Sequence, residues 1–191
     1  MESLTTMDYK IIPEPVDMWK NFQNTNIIRE MYKFRELTSL GQIFIHMTLL
    51  EEYSKTKNSK KFMERSIFDS QNVFTLNLYR ENFISKIEYD LLSYMHETIV
   101  STYNIKEPIY IYLNTPIHLC RMHVEFKQDK EDYYITNELL WQLKRLYDEW
   151  VIKILISKKR ILILDGNRSA DDLRDRLIKF IEYINDLPKE K

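Results

Sequence analysis

The sequence predicts an α/β fold in which a parallel sheet is flanked by helices. Two runs, Pro108-Ile109-Tyr110-Ile111-Tyr112-Leu113 and Arg160-Ile161-Leu162-Ile163-Leu164, are β-branched and aromatic without alternating polarity, as expected of strands covered on both faces. Long segments of helical period separate them from each other and from an earlier short run at Tyr9-Lys10-Ile11-Ile12. Strands that alternate with helices are the pattern of a parallel sheet. With 191 residues, 44% of them apolar, the chain can bury one sizeable core, and residues 1–191 are expected to form a single domain.

Each element has a local reason. Tyr9 to Ile12 reads as a short buried strand that Pro13 stops, leading into a Pro-bounded loop. Ile27, Ile28, Met31 and Tyr32 recur at helical spacing, and Ile43, Phe44, Met47, Leu50 and Glu51 continue that period in a second helix closing before the polar stretch Lys55 to Lys60. Lys61 to Glu64 is expected to be a short strand and Ile67 to Tyr79 one helix, with Phe68, Val73, Phe74 and Leu76 inside. Further helices are predicted at Ile87 to Tyr103, Pro116 to Phe126 and Ile135 to Ile154, and the last at Ser169 to Ile184, with Ser169 as N-cap. The charged stretch Lys127 to Asp132 reads as a loop.

Composition excludes several roles. Lys and Arg total 28 against 29 Asp and Glu, so no net field favours a nucleic-acid polymer or an anionic membrane. The longest apolar runs are far too short to span a bilayer. Cys120 stands alone and cannot form an internal disulfide, so the expected compartment is reducing and cytoplasmic. His46, His96, His118 and His123 lack metal-ligand spacing with cysteine and read as structural or surface residues.

Taken singly, the polar residues at strand ends have bland readings. Glu14, in a turn bracketed by Pro13 and Pro15, is more readily structural than catalytic, and Glu64-Arg65-Ser66 most readily a helix cap with an ion pair. Trp19, Tyr32, Gln42 and Phe74 read individually as core or surface residues. Their order is more telling. PEPVDMW, MYKF, GQIFIHMTLL, MERSIFDSQNVF, YIYLNTP, LKRLYDEW and ILILDG follow one another from Tyr9 to about Gly166, and in that order the chain resembles the deoxynucleoside kinase family.

The resemblance implies a P-loop kinase-like architecture and transfer of the γ-phosphate of ATP, with Mg²⁺, to the 5′-hydroxyl of a deoxynucleoside. It makes Glu14 the catalytic base and Arg65 the arginine near that base and the phosphates, with Glu64 available to the metal. Trp19 becomes a wall of the nucleoside pocket, Tyr32 the contact to the sugar 3′-hydroxyl, Gln42 the amide at the base edge and Phe74 the ring stacked on the base. An amide carries donor and acceptor together, which suits a pyrimidine edge. Glu131 or Asp132 matches the family's acidic contact to the 3′-hydroxyl. Arg121 and Lys127 are the candidate cations of the lid, a region poorer in arginine than the family's. A homodimer built on long helices is also implied, with Ile87 to Tyr103 as a candidate. Gly41 stands where the family has a large aromatic residue, which is expected to enlarge or loosen that part of the pocket.

A phosphate cradle of the form G-x-x-x-x-G-K-[ST] cannot be written with Gly41 and Gly166, the only glycines. In the family the cradle follows the central strand of a parallel sheet. Losing that strand would orphan buried backbone groups at about 1–3 kcal/mol each, against a domain stability on the order of 5–15 kcal/mol. Met1-Glu2-Ser3-Leu4-Thr5-Thr6 fits the helix after the cradle, so the expectation is an internal methionine with a strand and loop upstream, the alternative being a catalytically inactive nucleoside-binding pseudokinase or interaction protein.

Overall fold

The structure is a computed structural model and describes residues 9–55, 60–127 and 135–186. The chain divides into two compact units, Met1–Lys106 and Glu107–Lys191, each taken by itself below. Both are α/β with parallel strand pairs flanked by helices, as the sequence predicts.

In the first unit β1 (Lys10–Ile12) pairs in parallel with β2 (Lys61–Met63), Ile11 opposite Phe62. The crossover between them carries α1 (Val16–Lys20), α2 (Ile27–Lys33) and α3 (Arg35–Lys55). α1 is a turn of helix where the sequence predicts a Pro-bounded loop. Asn26 caps α2, its side chain accepting from the Arg29 amide, and extended backbone at Phe34 separates α2 from α3. Beyond β2, α4 (Ile67–Asp69) begins at a capping box in which Ser66 and Asp69 satisfy each other's backbone amides. The single helix expected over Ile67 to Tyr79 is interrupted: Ser70–Thr75 forms a π-helical turn before α5 (Leu76–Arg80). The Thr75 hydroxyl donates to the Ser70 carbonyl at 3.0 Å across that wider turn. α6 (Lys86–Thr102) starts from a second capping box, Ser85 with Glu88.

Two apolar clusters hold this unit. Trp19, Leu49, Leu50, Ile67, Ile99 and Ile105 form one, and Met31, Leu78, Ile84 and Leu92 the other. Gly41 has a packing role. A β-carbon there would lie 2.2 Å from Met31 Cγ and 2.4 Å from Sδ, so a side chain at position 41 would force the Met31 side chain to move. Met31 therefore fills the space that the sequence reading expected to be open.

The second unit pairs β3 (Tyr110–Asn114) with β4 (Ile161–Asp165) in parallel, with α7 (Ile117–Lys127) and α8 (Asn137–Ile156) in the crossover and α9 (Ala170–Asp186) after it. Tyr110 and Tyr112 on one face of β3 meet Trp150 and Tyr147 of α8. On the other face Ile111 and Leu113 are 38% and 48% exposed. This corrects the expectation of a strand covered on both faces, because the residues packed here lie on the tyrosine side. Thr136 and Ser169 cap α8 and α9 through their hydroxyls.

Candidate functional site

The loops after β1 and β2 lie at the carboxyl ends of two paired parallel strands, where open α/β sheets bind ligands. Glu14 leaves β1 and Arg65 leaves β2, and the fold joins them: Arg65 Nε lies 3.1 Å from Glu14 Oε1, with the carboxylate largely enclosed. Arg65 adopts a left-handed backbone, φ 59°. That conformation is uncommon for a residue with a β-carbon and is a frequent mark of functional turns. The following Ser66–Asp69 capping box anchors it from the helix side. The Arg65 guanidinium also lies over the Phe74 ring at 4.3 Å, so the carboxylate, the cation and the aromatic face form one group.

Tyr32 and Asp69 border this group. Burial raises the Tyr32 hydroxyl above its ordinary value, with the positive charge of Arg65 pulling the other way. Burial likewise raises the Asp69 carboxyl, opposed by Arg65 and by the hydrogen bonds from Ser66. The Tyr32 ring meets Phe83 edge to face at 5.5 Å. Trp19 is buried, its indole N–H donating to Thr48 Oγ1 at 2.8 Å, which fixes the ring of α1 against α3.

Gln42, on the face of α3 toward the π turn, is 1% exposed. Its amide nitrogen donates to Ser70 Oγ and Thr75 Oγ1, both at 3.0 Å. His46, one turn on, places Nδ1 3.1 Å from the Gln42 carbonyl oxygen. A carbonyl only accepts, so Nδ1 carries the proton and Nε2 is a bare acceptor. Burial pulls His46 down to about 4, with the backbone hydrogen bond to Gln42 opposing. His46 is structural, one of the two readings the sequence gives it, whereas nothing in the sequence singles out Ser70 and Thr75: they lie 28 and 33 residues from Gln42, and a helical period does not mark a π turn.

The sequence is 26% identical to human mitochondrial thymidine kinase 2 over 183 aligned residues, which cover 94% of this chain and 68% of that protein. Bovine deoxycytidine kinase is 23% identical over 210 aligned positions, covering 92% of this chain and 80% of that protein. The deoxynucleoside kinase family model matches residues 2–187. The chain belongs to the deoxynucleoside kinase family.

The other residues expected of such a kinase fare differently. Glu64 is exposed beside Arg65, its amide donating to the Ile12 carbonyl. Among the described residues no group of three His, Cys, Asp or Glu could hold a metal ion. A single carboxylate is nevertheless what Mg²⁺ takes when phosphates and water complete its shell. Neither glycine cradles phosphate: Gly41 packs on Met31, and a β-carbon at Gly166 would lie 2.3 Å from Thr115 Oγ1. In the second unit Arg121 is engaged by Glu125 at 2.8 Å and the Ile135 carbonyl at 2.9 Å, while Lys127 is exposed at the end of α7. Glu131 and Asp132 lie outside the described residues. No helix among those described is long and apolar enough to cross a membrane.

Proposed function

We propose that this deoxynucleoside kinase family member binds a pyrimidine deoxynucleoside and serves its 5′-phosphorylation by ATP in nucleotide salvage. The observation that carries the reading is the grouping of Glu14 and Arg65 at adjacent strand ends with Phe74 of the π turn, and the Gln42 amide held against that same turn. Phe74 supplies a stacking face and Gln42 a polar edge, with Trp19 a wall and Tyr32 the contact to the sugar. Glu14 accepts the proton of the 5′-hydroxyl as the bond to phosphorus forms. Arg65 fixes that carboxylate through a charge-assisted contact and keeps a cation where negative charge accumulates. ATP supplies the phosphoryl group, and Glu64 would contribute one carboxylate to its Mg²⁺. The family model running through both units supports treating residues 1–191 as one kinase-like domain.

The exposed stripes Ile87, Leu91 and Tyr94 on α6, and Leu37, Leu40 and Met47 on α3, support a homodimer. The first stripe repeats at four- and three-residue steps and the second at three and then seven, two turns of helix, so each keeps to one helix face, as a helix-to-helix seam requires.

The engaged Arg121 favours a second reading, a nucleoside-binding protein that transfers no phosphate. Glu14→Gln separates the two. A kinase loses at least about a hundredfold in phosphate transfer from ATP to deoxycytidine or thymidine while retaining nucleoside affinity. Transfer that survives the change would overturn the role of Glu14, and a wild-type chain that binds nucleoside without transfer would establish the second reading.

A further inference from the structure

Asp69 joins the cation of the site to its stacking ring. It is the last residue of α4 and 5% exposed, and the π turn that carries Phe74 starts at the next residue. Its Oδ1 meets both the backbone amide and the hydroxyl of Ser66. A backbone N–H can only donate, so the amide contact has one direction whatever the hydroxyl does. That N–H belongs to the peptide between Arg65 and Ser66, and holding it holds the peptide plane and with it the turn at Arg65. Arg65 has φ 59°, a left-handed conformation that a residue with a β-carbon keeps only where its surroundings impose it. From this turn its Nε lies 3.1 Å from Glu14 Oε1 and its guanidinium 4.3 Å over the Phe74 ring. On burial alone an apolar side chain would suit position 69 better than a carboxylate, so what Asp69 contributes here is its hold on Ser66.

Resting on the proposed role of Arg65 beside Glu14 and the transferring phosphate, we propose that Asp69 is a positioning residue for Arg65: by holding the Ser66 amide it keeps Arg65 in its left-handed turn, with the guanidinium aimed at Glu14 and laid across Phe74. Asp69 acts through Arg65 and touches no reacting atom. Without an acceptor at position 69 the peptide is free to rotate, φ of Arg65 returns to the ordinary negative range, and the side chain leaves the chain in another direction. The nucleoside pocket keeps its stacking ring in that case, while the cation is lost from the place where the phosphate carries its charge.

The test is a double-mutant cycle of Asp69→Ala with Arg65→Ala. It is read as kcat and KM for phosphate transfer from ATP to deoxycytidine or thymidine, and as the affinity for the matching 5′-monophosphate relative to the nucleoside. In the wild-type background Asp69→Ala is expected to lower kcat by about tenfold or more, because an aligned group is misplaced. Nucleoside affinity should hold while the monophosphate weakens relative to it. In the Arg65→Ala background the same change is expected to move neither readout further, since the group it positions is gone. Asp69→Asn keeps an acceptor for the Ser66 amide and is expected to recover most of the loss. Should Asp69→Ala fail to fold, Asp69→Leu fills the space without an acceptor and is read in its place. Equal losses in both backgrounds, unchanged kcat and monophosphate ratio in Asp69→Ala, or an Asp69→Asn chain as impaired as Asp69→Ala would each overturn the proposal and leave the nucleoside site intact. A wild-type chain that binds nucleoside without transfer would overturn the kinase reading alone, and the monophosphate ratio then decides for or against Asp69. Failure to bind either nucleoside would overturn the nucleoside reading, and the role of Asp69 with it.

Discussion

His46 shows how much a single side chain can impose once it is enclosed. Its proton sits on Nδ1 because the Gln42 carbonyl demands a donor, and burial holds the ring neutral down to about 4. His96 meets it edge to face at 5.9 Å and is lowered by burial as well, with the charge of Glu97 opposing. Both groups titrate lower folded than unfolded. The unfolded chain therefore takes up protons first as pH falls below the ordinary histidine value of 6.5, and stability is lost between there and about 4. Full expression of the His46 shift is worth on the order of 3 kcal/mol, one pKa unit being about 1.4 kcal/mol. Asp69, raised by burial, works in the opposite sense as it protonates. The melting temperature should fall as pH is lowered from 6.5 to 4.5, and His46→Gln should flatten that dependence. An unchanged slope in the variant would place the acid sensitivity elsewhere. The sequence offered four histidines without metal spacing, and nothing in one dimension separates a buried neutral ring from a surface one.

At the scale of elements, the sequence was most legible where local chemistry decides the outcome. Strand ends at Pro13, the Ser169 cap and the helical periods of α6 and α8 follow from neighbours within a few residues. The π turn at Ser70–Thr75 was not legible, because one residue of slippage in a helix leaves no mark on an apolar pattern. Gly41 was misread for a related reason: its partner Met31 lies on another helix, so a missing side chain looked like open space. Gly41→Ala should destabilise the fold by about 1–3 kcal/mol through overpacking, seen as a lower denaturant midpoint. Because the clash is with Met31, Gly41→Ala combined with Met31→Ala should cost less than the sum of the two single changes. Additive costs would show that α2 and α3 absorb the methyl group by another route.

On the scale of the whole molecule, family membership came from the order of motifs. Glu14, Arg65, Gln42 and Phe74 come from three separate segments of chain, and any one of them alone has an ordinary structural explanation. The fold brings Glu14 to Arg65 and Arg65 to Phe74, and seats Gln42 against the π turn that carries Phe74. Arg121 and Lys127, the cations expected of a lid, belong to the second unit, where Arg121 is already engaged. For the proposed dimer, Leu91→Glu on α6 should shift the sedimenting species toward monomer at fixed concentration. A sedimentation profile unaffected by that charge would remove α6 from the interface.

The most direct test of the nucleoside site is a calorimetric titration of deoxycytidine and thymidine into the wild-type chain, with Phe74→Ala alongside. Saturable binding of at least one nucleoside is expected, weakened in Phe74→Ala by about 1–3 kcal/mol for the lost stacking face. No saturable binding by either nucleoside, or equal affinity in Phe74→Ala, would contradict a base-stacking pocket beside Glu14 and Arg65.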